Sequence, residues 1–199
     1  MSVTTPVFGK AIYSNQLNID TKKIVSMIDT PRKSFNVEYV AAKKKDLYVL
    51  EEDKFKFLKD IILKEFYSYA HDEMRYTNEF RITTSWFTLV DVDESSQSHN
   101  HNNCFISGVL YLQAFKDCGN IVFEDIDDER FDLEVNEYNV LNSKQWVYEP
   151  KDGLILFFPS DVRHKVEENK SGHKRYSLAF NLMPVGLIGD VASDSHTTM

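Results

Sequence analysis

The sequence predicts a mainly β fold of the α+β class, a sandwich or jelly roll backed by an N-terminal helical layer. Three observations predict it. At least seven short β-rich runs follow residue 80, set apart by Gly, Asn, Asp and Pro, and no long helical pattern interrupts them. The clearest three-and-four apolar spacing lies ahead of them. The chain is also rich in aromatics, with 14 Phe and 10 Tyr, which suits sheet more than bundle.

The elements follow in order. Val7-Phe8 and Ile12-Tyr13 read as short β pieces, and Asn15 to Asn18 as a turn. Asp20 and Thr21 can cap a short helix that carries Ile24, Val25 and Ile28 and ends before Pro31. From Glu51 to about Glu73, Phe55, Leu58, Ile61, Ile62, Phe66 and Tyr69 form one apolar stripe of a long helix. The strand runs are Arg81 to Val90, Phe105 to Phe115, Asn120 to Ile126, Gln145 to Tyr148, Leu154 to Phe158, Lys165 to Glu167 and Arg175 to Met183. One domain is expected: residues 1–80 support the core, 81–183 form it, and 184–199 are a C-terminal tail whose last residues, VASDSHTTM, are loose.

Composition excludes some partners. With 31 acidic against 23 basic residues the formal charge is -8, which opposes bulk nucleic-acid binding because that rests on Lys and Arg neutralising phosphates. The Lys43-Lys44-Lys45 run precedes Glu51-Glu52-Asp53 and reads as a solvated surface segment. No apolar run approaches the ~18 residues of a membrane span, and MSVTTPVFGK lacks the order of a signal peptide. A cytoplasmic protein is therefore expected, with Cys104 and Cys118 as reduced thiols at opposite ends of one strand. A homodimer is only the generic expectation for its oligomeric state.

The chemistry centres on SHNHNNCFISG, residues 98 to 108. In extended chain His99 and His101 face the same side and can offer two imidazoles to one point, although such a pair alone is also a common surface feature. A third histidine, His164, follows the apolar strand LILFF and the turn at Pro159-Ser160. Eleven residues on, Arg175 and Ser177 stand two apart on one strand face. An inward guanidinium is costly to bury unless an anion meets it, and its planar fork suits a carboxylate.

Taken together, WFTLVDVDESSQSHNHNNCFISGVLYL, GNIVFED and GLILFFPSDVRHKVEENKSGHKRYSLAFN resemble the 2-oxoglutarate- and Fe(II)-dependent oxygenases common in marine cyanophages and related bacteria. The likeness covers about residues 81 to 183 and rests on H-x-H-N, S-G-V-x-Y-L, F-P-S, H-x-V and R-x-S-x-x-F-N in that order. It implies a double-stranded β-helix core of the cupin-like jelly-roll kind, with Fe(II), 2-oxoglutarate and O2, and a hydroxylase coupling substrate oxidation to formation of succinate and CO2. A protein or prolyl side chain is among the substrates it leaves open, and a phage protein would act in the host cytoplasm. By the resemblance His99, His101 and His164 are the catalytic iron ligands. Arg175 and Ser177 bind the distal carboxylate of 2-oxoglutarate, and Tyr111 and Asn181 line the cosubstrate site.

One departure stands out. The familiar non-haem iron site has two His and one carboxylate, yet no Asp or Glu stands two residues after His99. Either His101 is the third ligand or a carboxylate enters from elsewhere, with Asp91, Asp93, Glu94, Asp117 and Glu124 the nearest in sequence. Two other readings stay open. One is a cupin-type metal oxygenase without 2-oxoglutarate, although Phe105, Ile106 and Ser107 stand where its Glu belongs. The other is a noncatalytic jelly-roll binding or virion module. His71, His173 and His196 read as helix-end, turn and tail residues, and Trp86 and Trp146 as core or pocket wall.

Overall fold

A computed structural model describes residues 3–4, 9–29, 32–33, 47–125, 133–190, 192 and 194–199. Val7-Phe8, Pro31, Lys43 to Lys45 and Ile126 lie outside them. Two sheets face each other. The larger runs β1 (Tyr13–Gln16), β8 (Leu154–Pro159), β5 (Ile106–Gln113), β10 (Arg175–Val185), β3 (Glu79–Val90) and β2 (Arg32–Lys33), and the smaller runs β4 (Ser96–His99), β9 (Arg163–Val166), β6 (Ile121–Glu124) and β7 (Gln145–Tyr148). Except for β2, which lies parallel to β3, all neighbours in both sheets are antiparallel, so the fold is the expected jelly roll.

Alternation along the large sheet makes two cores. Leu110 and Leu112 of β5, Ile155 and Phe157 of β8, and Leu178, Phe180 and Leu182 of β10 face the helical layer, meeting Ile24, Leu58, Ile62 and Phe66. The opposite face turns inward between the sheets, where Val109, Tyr111, Leu156 and Phe158 pack with Ile121 and Phe123. The inward residues of β10 are then Arg175, Ser177, Ala179 and Asn181, the side on which the sequence placed its polar candidates.

The helical layer is α1 (Thr21–Ser26), capped by the Asp20 carboxylate on the Lys23 N–H, and α2 (Lys56–Tyr67). The single helix expected over Glu51 to Glu73 is instead composite. Two short 3₁₀ turns, Val49–Glu51 and Asp53–Phe55, precede α2 because Glu52 is extended (ψ 135°). Past Tyr67 the helix loosens into a π turn over Ser68–Glu73, ending with the Met74 N–H on the Tyr69 carbonyl. Both Tyr69 and Ala70 are thereby buried.

Three other expectations are corrected. Asn15 and Gln16 are not a turn but the end of β1, held across from Ile155 and Leu154. The tail is not loose: β10 runs to Val185, β11 (Leu187–Ile188) pairs with β12 (Thr197–Thr198), and Gly186 and Met199 exchange two backbone hydrogen bonds of 3.0 Å. Trp146 is not part of the core, since it is 41% exposed on β7. Both cysteines are free thiols. Among the described residues no helix is long and apolar enough to cross a membrane.

Gly108 makes the sheet-to-helix packing possible. A Cβ there would fall on the Phe180 ring and within 2.9 Å of the Leu156 carbonyl oxygen, a backbone atom that cannot swing away. Gly108→Ala is therefore expected to lower the unfolding free energy by about 1–3 kcal/mol in urea denaturation, the usual cost of overpacking a filled core.

Candidate metal centre

The three histidines predicted from sequence come together. His99 ends β4 directly across from His164 on β9, an antiparallel pair of the small sheet that brings their ring centres to 4.4 Å. The chain continues past the exposed Asn100, so His101 returns to the same side, 5.3 Å from His99 and 5.2 Å from His164. One ring nitrogen from each lies within 4.8 Å of those of the other two, a spacing that could hold a metal ion. The local strand was not legible, because Ser96–His99 carries no apolar alternation at all.

Hydrogen bonding decides which nitrogen each ring offers. His99 Nδ1 lies 2.8 Å from the Gln97 carbonyl and His164 Nδ1 lies 3.1 Å from the Val162 carbonyl. A carbonyl only accepts, so Nδ1 carries the proton in both and Nε2 keeps its lone pair. His101 Nδ1 lies 2.9 Å from Asn181 Oδ1 and donates there, with the same outcome. In each ring Nε2 is therefore the nitrogen left to bind a metal. Three such nitrogens make a donor set suited to a divalent transition metal.

The walls are apolar on two sides. Phe158 and Phe123 flank His164 at 4.9 and 6.0 Å between ring centres, and Trp86 flanks His101 at 6.0 Å, so Trp86 is pocket wall as expected. Burial, with the nearby His99 adding to it, pushes the His164 imidazole down from the ordinary 6.5 to about 3. Burial also lowers His101, and its hydrogen bond to Asn181 opposes this.

None of the sequence's carboxylate candidates joins the group among the described residues. Glu124 comes nearest in role, yet it is tied to Lys165 Nζ at 2.6 Å and to Ser98 Oγ at 2.5 Å, which hold its carboxyl below the usual range. Asp91 and Glu94 close a turn of their own, with the Asp91 N–H on Glu94 Oε2. Asp117 lines a separate cleft of about 640 Å³ with Glu149, Glu167 and Glu168. An apolar cleft of about 420 Å³, walled by Tyr76, Phe80, Phe105 and Met183, likewise lies apart from the three histidines.

Arg175 is 2% exposed at the start of β10. Its Nη1 donates to the Cys118 and Gly119 carbonyls at 3.3 and 2.8 Å, its Cζ lies 5.7 Å from the Tyr111 ring centre, and its Nε is buried with no partner. Gly119 is needed for this cradle, since it has φ +87° and a Cβ would overlap the Glu167 carbonyl. Ser177, also buried, sits across from Tyr111, whose hydroxyl is pushed up to about 12 by burial against the opposing effect of Arg175. A buried cation with an orphaned donor, and no ion pair among the described residues, has the chemistry to accept an anion.

Residues missed from sequence are Ser107, Ser160 and Thr84. Ser107 Oγ reaches Asn181 Oδ1 at 2.8 Å and Ser160 Oγ at 2.9 Å, and Asn181 Nδ2 donates to Thr84 Oγ1 at 2.9 Å. The signal was present in the S-G-V and F-P-S elements, but their serines read as strand residues and turn formers. Asn181 itself contacts His101 instead of an open cavity wall.

Residues 84–181 match the model of a family described as "Putative 2OG-Fe(II) oxygenase", a segment that includes every site residue named from sequence. That segment is 98 of the chain's 199 residues, just under half. HygX from Streptomyces hygroscopicus, solved with nickel and 2-oxoglutarate bound, is 8% identical over 88% of this chain and 82% of its own, with a TM-score of 0.58. That likeness shows the shared fold. A 2OG-Fe(II) oxygenase family oxidoreductase from Burkholderia pseudomallei is 16% identical over 62% of this chain, with a TM-score of 0.47, and the chain spans 55% of its length. A Pseudomonas putida prolyl-4-hydroxylase is 18% identical over 68% of both chains, also at 0.47. No curated protein matches the chain.

The depressed His164 has a measurable consequence. As pH falls from about 6.5 towards about 3, unfolded chains take up a proton that the folded site refuses, so stability falls with pH. The metal-free protein is expected to lose up to about 1.4 kcal/mol per pH unit from such a group. Urea melts across that window will show the slope, and His164→Asn should flatten it.

Proposed function

We propose that the protein is an Fe(II)- and 2-oxoglutarate-dependent hydroxylase, with His99, His101 and His164 as iron ligands and Arg175 as the anchor of the distal carboxylate. The observation that carries this reading is the convergence of three imidazoles, together with a buried guanidinium whose Nε has no hydrogen-bond partner among the described residues.

The residues fit the groups. Three neutral Nε2 donors suit Fe(II) and leave room on the metal for other ligands. The orphaned Nε of Arg175 supplies a charge-assisted donor for a carboxylate, and Ser177, on the same face of β10, adds a hydroxyl. Tyr111 lies under the guanidinium and restricts its swing, so the carboxylate is met by a fixed fork. Phe123, Phe158 and Trp86 keep water from the metal's surroundings. Bound there, Fe(II) would supply O2 activation, which couples oxidation of 2-oxoglutarate to succinate and CO2 with hydroxylation of a substrate C–H bond. The prime substrate is a peptide side chain, prolyl included, or a small molecule that reaches the imidazoles. The free thiols suit action in the cytosol.

The cupin-type and noncatalytic readings give Arg175 no task. The test is anaerobic calorimetric titration of the Fe(II)-loaded protein with 2-oxoglutarate, followed by a succinate assay in air. Wild type should bind and turn over the oxo acid, and Arg175→Ala should weaken binding about 10- to 100-fold, as expected for a lost buried charge-assisted contact. A wild-type protein that neither binds 2-oxoglutarate nor forms succinate would sink the proposal.

A further inference from the structure

We infer that Asn181 is a positioning residue: it fixes the tautomer and ring orientation of His101, so that an imidazole can serve where an iron site of this kind ordinarily has a carboxylate. The inference rests on the metal-site reading above.

The three histidines are not held in the same way. His99 and His164 each donate Nδ1–H to the carbonyl two residues before them, Gln97 and Val162, so a local backbone acceptor fixes Nδ1 in both. His101 does not. Its Nδ1 meets side chains instead: Asn181 Oδ1, 80 residues away in sequence, at 2.9 Å, with Ser107 Oγ beside it at 3.0 Å. The third ligand is thus the one whose presentation depends on a replaceable group.

The amide is itself locked. Asn181 Oδ1 takes a second donor, Ser107 Oγ at 2.8 Å, while its Nδ2 donates to Thr84 Oγ1 at 2.9 Å. Flipping the amide would aim an NH₂ at the His101 and Ser107 donors and lose those bonds together. Ser107 is fully buried and hydrogen-bonded to Ser160, and the Ser160 carbonyl accepts the His101 backbone N–H at 2.9 Å. Ring and backbone of His101 are therefore pinned by one network.

The strand geometry is shaped for this contact. Asn181 pairs with Thr84 on β3 just before a bulge, in which Thr83 is the extra residue and donates its Oγ1 to the Asn181 carbonyl at 3.2 Å. Bulges re-aim side chains beside functional sites. Here Asn181 faces the interior while the next residue, Leu182, still packs on the helical layer.

Two measurements test the assignment. Long-range ¹H–¹⁵N NMR of the metal-free protein should find the His101 proton on Nδ1 in wild type and in Asn181→Asp, which keeps the acceptor oxygen. It should find a mixture of tautomers in Asn181→Leu. Anaerobic titration of the same proteins with Co(II) should then show Asn181→Leu binding about 10- to 100-fold more weakly, the range usual for lost partners of ligating histidines, with Asn181→Asp within about threefold of wild type. A wild-type His101 protonated on Nε2 would overturn the inference without any variant. So would Asn181→Leu binding Co(II) as tightly as wild type. If wild type itself binds Co(II) no better than His99→Ala, the metal-site reading fails and this inference falls with it.

Discussion

Each of the three clustered imidazoles gives its Nδ1–H to an oxygen of its own chain, and the character of the interior follows from those three hydrogen bonds. They fix Nδ1 as a proton-bearing nitrogen of each ring and leave Nε2 as the nitrogen that a metal could take. One nitrogen of each ring lies within 4.8 Å of those of the other two, and lone pairs brought that close repel. The arrangement is relieved by a cation, and burial beside Phe123 and Phe158 makes a proton an unwelcome one. A metal ion is the cation that three fixed, neutral donors suit best.

A second constraint is charge. In the usual two-histidine, one-carboxylate centre the protein cancels part of the metal's charge. Here the clustered side chains supply none, and Glu124 is already compensated by Lys165. A metal bound there would draw its neutralising charge from a ligand, while Arg175 at the far end of the β10 inner face adds a further positive charge that has no ion pair among the described residues. Two cationic ends facing one interior favour a molecule bearing negative charge at both of its own ends, as 2-oxoglutarate does.

Much of this was legible in the sequence because strand periodicity is only two residues long. The H-x-H spacing and the Arg175–Ser177 spacing both predict a shared face, and the alternation of LILFF and RYSLAFN predicts which face is core. What could not be read has physical causes. β4 is polar and forms by pairing with β9, so no local pattern announces it. The tail hairpin is short and exposed and depends on Gly186 and Met199 meeting. The π turn shows only as slippage of the apolar stripe at Tyr69 and Ala70. The contact of Asn181 with His101 needs the pairing of β10 with β3 and β5, which the linear order of residues does not contain.

β10 carries core and site on alternate residues: Leu178, Phe180 and Leu182 on one face, Arg175, Ser177 and Asn181 on the other. This has an evolutionary corollary. Substitutions on one face can drift while the other is kept, so the helical layer and the pocket can diverge separately. A one-residue insertion or deletion within the strand cannot be absorbed in that way, because it would exchange the two faces, sending an arginine into the apolar layer and a leucine to the inner face. Related chains should therefore differ freely in the length of their loops and hold the count of residues from Arg175 to Asn181 constant.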